Sequence, residues 1–349
     1  MVNRRFIGVF GALLLTAAMV CGCTMQDKKA APYDAKEYID EAYVTPEGQD
    51  LEKAAAAQED EYNFYTDLSV PTYITKVDGT WFIVDCYHNL VLYSDSIDVP
   101  LTEWKIMCKD VTQPHTIASD GLVYLIDDTE NDRLFVYEKA EGKFIHSQLM
   151  YNIGDRPHYS YYDEMSDTFY VLSSESGEIY CFRHTQDSTK LYLTDIRRID
   201  RLKDVYVRSF SIIGGDIYFV SGVSETGSAP EILRCDLKTM EVKKSYPVPD
   251  ELAGMVQLMK IDDYYYITVS TDITGNQDYA TIVRTRSLDD LAEGEYEDIY
   301  SEYFIGGGTP YNISKVDDTY FLTEHRLKGH SIWSFKVDGD KIYDVETVY

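Results

Sequence analysis

The sequence predicts an all-β chain: a six-bladed β-propeller of four-stranded antiparallel blades, preceded by a signal peptide and an acidic linker. Three observations predict it. First, one short figure of apolar and aromatic β-formers recurs six times. It reads Trp81-Phe82-Ile83-Val84-Asp85, Val123-Tyr124-Leu125-Ile126-Asp127 and Phe169-Tyr170-Val171-Leu172-Ser173. It returns as Ile217-Tyr218-Phe219-Val220-Ser221, Tyr265-Tyr266-Ile267-Thr268-Val269 and Tyr320-Phe321-Leu322-Thr323-Glu324. Second, the aromatic in its second slot steps along the chain by 42, 46, 48, 48 and 55 residues. That is the period of a repeat contributing one four-stranded sheet per copy. Third, turn-forming pairs precede the figure: Asp78-Gly79, Asp120-Gly121, Gly214-Gly215, Asp262-Asp263 and Asp317-Asp318. Such residues tolerate the left-handed backbone of a tight hairpin. Blade three departs, with a longer turn over 163–167.

Residues 1–22 read as a processing signal. Arg4 and Arg5 open it, and the apolar run 6–20 is too short to span a bilayer. The run ends Val20-Cys21-Gly22-Cys23, which resembles the lipobox of bacterial lipoproteins. The resemblance implies lipidation at Cys23, with a palmitate-type acyl anchor as the membrane attachment and the domain on the extracytoplasmic face of the cell membrane. The competing reading is ordinary secretion with cleavage nearby. Residues 23–69 are acidic and Ala-rich, with Pro32 and Pro46, and read as a tether with a short helix near 51–58. A lone strand over 62–68 is a candidate for closing the ring.

The propeller fills 70–349. Blade one is expected over 73–77, 81–84, 89–93 and 104–107. Blade two is expected over 115–119, 122–126, 133–137 and 144–149. Blade three begins at Pro157 and continues over 168–172, 178–182 and 190–196. Blade four begins near Val207, then 216–220, 231–235 and 242–247. Blade five begins near Met255, then 264–269, 281–284 and 296–300. Blade six begins at Pro310, then 319–323, 331–335 and 341–345.

In blade two, Pro114, Ile117, Ala118, Asp120, Gly121, Val123, Tyr124, Asp127, Asn131 and Arg133 resemble the NHL-type propeller repeat. Blade one keeps Asp85 and Asn89 but lacks the arginine; the other blades keep the apolar skeleton. The resemblance implies a six-bladed propeller in the broad company of NHL and gluconolactonase-like proteins, which includes binding scaffolds and enzymes alike. Gluconolactonase-like propellers hold a channel cation through Glu, Asn and Asp. The equivalent slots here carry His, Arg and Tyr, so that ligand set does not transfer.

The net charge is -28, from 60 acidic and 32 basic residues. Nucleic acid is therefore excluded as a partner class, because phosphate binding needs clustered cations. The cysteines Cys86, Cys108, Cys181 and Cys235 show no CxxC and no disulfide framework, and read as small buried side chains. No nucleophile elbow, phosphate loop or His-Glu-x-x-His is present.

In a propeller, first strands start and second strands end at one mouth of the central channel. That places Thr72, His115, His158, Arg208, Gln257 and Tyr311 together as a candidate ligand site. Histidine can act as a base or a metal ligand, and arginine can hold a carboxylate or sulfate. The competing reading is that these groups bond loop backbone and stack on their neighbours. No catalytic or metal residue is assigned and no cofactor is expected, although a divalent cation at His115 and His158 is a minor alternative. The acidic stretch 127–132 reads as a capped turn rather than a calcium loop. The functional expectation is a monomeric surface lipoprotein binding a glycan, peptide or protein at one channel mouth without turnover. The alternative is a hydrolase or lyase acting on a small or saccharide substrate at a His-lined mouth. A closed pocket in which His115, His158 and Arg208 converge favours the enzyme; a flat mouth favours binding.

Overall fold

The computed structural model describes residues 43–44, 50–184, 188–222 and 229–349. The predicted signal, Cys23 and most of the acidic tether lie outside the described residues. Six antiparallel sheets follow one another, each built from consecutive strands, and they form the expected six blades. Blade one, for example, is Pro71–Val77, Thr80–Asp85, Leu90–Ser94 and Lys105–Cys108. No helix among the described residues is long and apolar enough to cross a membrane.

The recurring figure is the second strand of every blade, and all six residues of Thr80–Asp85, Val123–Asp128, Thr168–Ser173 and Asp216–Ser221 are buried. Both faces of such a strand meet neighbouring blades, so it reads as a continuous apolar run rather than an alternating one. Its aromatic slot fills the space between sheets. Phe82 and Tyr124, of adjacent blades, lie with ring centroids 5.3 Å apart, and Phe144 meets both rings edge-on.

The ring closes between blades six and one. Ser314 donates a hydrogen bond to the Ile74 carbonyl. Trp104 Nε1 donates to the hydroxyl of the last residue, Tyr349, at 2.8 Å. The segment near residue 62 does not add a full strand. It makes an isolated bridge, Tyr62 to Lys105, and Asn63 N bonds Trp104 O at 2.8 Å. The predicted helix forms as α1, Leu51–Ala57, with the Asp50 side chain capping Lys53 N. Tyr43–Val44, placed by sequence in a strandless tether, pair with the outer edge of blade two at Leu149 and Gln148.

Two expected strands differ. Blade two starts at Ile117 rather than His115, because a side chain takes the amides of His115 and Thr116. Blade five's outer strand shrinks from 296–300 to Glu297–Asp298. Tyr300 instead opens the short helix α2, Tyr300–Tyr303, where Asp298 caps its amide and its ring is buried. The four cysteines are free and buried, with no disulfide between Cys181 and Cys235.

Candidate functional site: a closed chamber and an open funnel

The inner strands of five blades carry the same irregularity. Their register against the second strand slips between Pro71 and Tyr73, Pro157 and Tyr159, Val207 and Ser209, Met255 and Gln257, and Pro310 and Asn312. A bulge leaves one residue unpaired and re-aims its side chain. The bulged residues are Thr72, His158, Arg208, Val256 and Tyr311, and all of them line one small central chamber with His115. The structure brings five of the six candidate residues, Thr72, His115, His158, Arg208 and Tyr311, to this one chamber. Gln257 is the exception. It lies one position past its bulge, and Val256 takes the chamber slot. The Gln257 amide pairs with the backbone of Ile313 in the next blade, accepting at 2.6 Å and donating at 2.9 Å.

The chamber is narrow, with a volume of about 10 Å³, space for one water. The rings of His115 and His158 stack across it, centroids 3.8 Å apart, and Tyr311 lies 6.2 Å from His115. His158 Nδ1 lies 2.8 Å from the Arg208 carbonyl. A carbonyl only accepts, so Nδ1 carries the proton and Nε2 is left to accept from the hydroxyls of Tyr206 at 3.2 Å and Tyr311 at 3.5 Å. His115 follows the same logic. The Thr129 hydroxyl donates to the Pro157 carbonyl, so it accepts from His115 Nδ1 at 2.9 Å. Cys86 Sγ then faces His115 Nε2 at 3.7 Å. Burial pushes the His158 pKa down to about 3, with Arg208 adding to it, and drives that of His115 well below its ordinary value, with help from His158. Both rings are therefore neutral. The Arg208 guanidinium donates to the Ser270 hydroxyl and lies 5.3 Å from the Tyr206 ring. Thr72 is buried and donates weakly to Val84 O at 3.4 Å.

The second-strand ends, which share this mouth, act as staples. Asp127 accepts from His115 N at 2.6 Å and Thr116 N at 3.0 Å, and from the Thr116 hydroxyl. Asp85 takes Ser69 N and Val70 N in the same way, and His88 lies 2.7 Å from its other oxygen. Asp128 binds Thr112 N, Asn131 and Arg133, so the stretch 127–132 is a capped turn. Glu324 receives Trp333 Nε1 at 2.7 Å and the Tyr300 hydroxyl. No group of three His, Cys, Asp or Glu side chains among the described residues is arranged to hold a metal ion.

The other half of the tunnel is open. A funnel of about 850 Å³ begins below the His chamber and widens toward the hairpins that join first and second strands. Tyr73, Tyr159, Phe210 and Gln257 line it near the chamber, and Tyr161, 40% exposed, lines it further out. Asp78, Asp120 and Glu164 lie on its wall in blades one to three. Asp120 is already engaged, with the amides of Leu122 and Val123 and with His184. Lys76, Lys260 and Lys315 lie on the wall in blades five, six and one. The sequence carried a sign of these lysines. Lys76-Val77-Asp78, Lys260-Ile261-Asp262 and Lys315-Val316-Asp317 are one motif at one place in the repeat. Read from sequence alone, it is indistinguishable from solvated turn chemistry.

No known protein-family model matches the chain, and no curated protein matches it. Solved structures do match. A 6-phosphogluconolactonase-like propeller from Bacteroides uniformis is 12% identical over 77% of this chain and 81% of that one, with a TM-score of 0.54. Catalytically inactive virginiamycin B lyase from Staphylococcus aureus, with quinupristin, is 16% identical over 82% of this chain and 86% of that one, at 0.52. The hydrazine synthase of Kuenenia stuttgartiensis is 16% identical over 79% of each chain, at 0.50. At such identities the likeness is one of fold, and the chain is a six-bladed β-propeller on a scaffold that its neighbours use for unrelated tasks.

Proposed function

We propose that this protein is a binding propeller that holds a glycan in the open half of its tunnel without turning it over. The observation that carries the reading is the position of free space. The histidines that could act as bases are neutral, hydrogen-bonded and packed around a chamber too small for a substrate. The space large enough for a ligand lies on the other side of them, within the range of ordinary ligand sites. Its lining of tyrosines, serines and a few charges suits sugar rings, which stack on aromatic faces and offer many hydroxyls. The test is calorimetric titration of the full-length chain with neutral and acidic oligosaccharides, repeated with Tyr161→Ala. Binding that Tyr161→Ala weakens supports the reading; the absence of binding across both sets refutes it.

The convergence of His115, His158 and Arg208 favours a second reading, a lyase or hydrolase at the chamber mouth. It requires the chamber to open. Turnover of any panel member, lost in His115→Ala, would establish it over the first.

The lipobox-like ending at Cys23 supports placing the domain on the extracytoplasmic face of the cell membrane, held there by acyl chains. Metabolic labelling with an alkyne fatty acid tests the anchor: label that persists in Cys23→Ala would refute it.

A further inference from the structure

Lys76, Lys260 and Lys315 occupy equivalent places in three consecutive blades of the ring, and all line the funnel. Each sits directly across from an aromatic residue of the second strand: Lys76 from Trp81, Lys260 from Tyr265, Lys315 from Tyr320. Their ammonium groups lie 5.3, 4.1 and 5.3 Å from those rings. The aromatic faces fix the long stems and hold the cations at the funnel wall. The same slot holds Tyr162 and Ile212 in blades three and four, and in blade two the inner strand ends one pair earlier, at Ser119 opposite Tyr124. The cations therefore form one arc, not a ring.

None of the three lysines makes an ion pair or a hydrogen bond among the described residues. Elsewhere Lys105, Lys109, Lys243, Lys244 and Lys336 each find a carboxylate. The facing blades bear Glu164 and the exposed ring of Tyr161, while Asp78 shares blade one with Lys76. Within the same lining, Ser160 is 1% exposed and its hydroxyl has no hydrogen-bond partner. A buried orphan hydroxyl costs free energy unless something else reaches it.

We infer that the funnel selects an anionic oligosaccharide. Carboxylate or sulfate groups of the sugar chain meet the lysine arc of blades five, six and one. Ring hydroxyls donate to Glu164 on the facing arc and to Asp78 beside Lys76, one ring lies on Tyr161, and a group at the tip of the ligand satisfies Ser160. Lysine is a point charge and does not demand the planar fork geometry that arginine imposes, so the shared requirement is negative charge rather than one acid. The inference rests on the funnel being the ligand site.

The test uses matched pairs of hexasaccharides: oligogalacturonate beside its methyl ester, and heparin-derived beside its desulfated form. Each is titrated into the full-length chain. The expected result is that an acidic member binds roughly tenfold or more tightly than its neutralised partner, the range three partly exposed charge pairs supply. Salt at about 1 M, which shortens screening to about 3 Å, should remove that preference. So should K76Q/K260Q/K315Q, at an unchanged melting temperature, and K315Q alone should weaken it. Equal binding of both members, lost in Tyr161→Ala, overturns the charge selection while leaving the funnel as the glycan site. Binding of a hexaglutamate peptide in place of every sugar overturns the glycan class, and binding of nothing overturns both.

Discussion

His115 and His158, from neighbouring blades, stack their rings 3.8 Å apart across the axis of the propeller. Two cationic imidazoles could not sit this way. The contact is stable because burial and the neighbouring Arg156 and Arg208 guanidiniums keep both rings neutral, and because every ring nitrogen faces a partner. The pair, with Arg208 and Tyr311, lines the narrow part of the tunnel, and the wide funnel lies on the other side.

This pair should make stability sensitive to acid. An unfolded histidine binds a proton near pH 6.5, whereas folded His158 resists down to about 3. Between those values the unfolded chain holds more protons, so the contribution of the pair falls as pH falls. Asp127 and Glu324 act in the opposite sense, since burial raises both to about 7 and their share rises as pH falls through that value. The measurement is therefore a difference. His158→Asn keeps a donor for the Arg208 carbonyl but does not titrate. Its melting temperature should fall less steeply with acid than that of the wild type, and parallel curves would contradict this account.

Asp127→Ala should destabilise the fold by about 2–4 kcal/mol, read by urea unfolding, because the amides of His115 and Thr116 lose their only acceptor in a buried place. Asp127→Asn keeps one carbonyl oxygen and should lose less.

Closure of the ring should depend on the last side chain. The Tyr349 hydroxyl accepts from Trp104 Nε1 and reaches the carbonyls of Ile97 and Val99 at 2.6 and 2.7 Å. Tyr349→Phe strands the indole N–H and should lose about 1–3 kcal/mol in the same assay. A loss within error would mean the ring is held by the Ser314 to Ile74 contact and packing alone.

Binding and the His chamber should separate. His158→Asn should leave the affinity for a funnel ligand within about twofold, since its ring is buried on the narrow side, whereas Tyr161→Ala should weaken it roughly tenfold, the scale of losing one stacked ring. Equal losses in both would return the site to the histidine mouth.

The repeat made most of the fold legible. An apolar run buried on both faces, with an aromatic in its second slot and a turn pair before it, specifies the same strand wherever it occurs, so five inner-to-second hairpins were readable in advance. Blade five's outer strand was not, because Tyr300 has the composition of a strand residue and is drawn inward by Glu324 only in the assembled blade. The site was half legible. Thr72, His158, Arg208 and Tyr311 could be named because each opens an inner strand. Gln257 is one position off, because the bulge between Met255 and Gln257 turns Val256 into the chamber. The lysine motif was visible but mute, since a lysine before a turn is usually solvated.

The sequence by itself determined six blades, their order and which residues start the inner strands, because those follow from local periodicity and turn chemistry. Only the tertiary structure decided which end of the tunnel is open. That depends on side chains from six distant strands meeting on one axis, where bulges aim His158, Arg208 and Tyr311 into the chamber at one end and the funnel is left at the other.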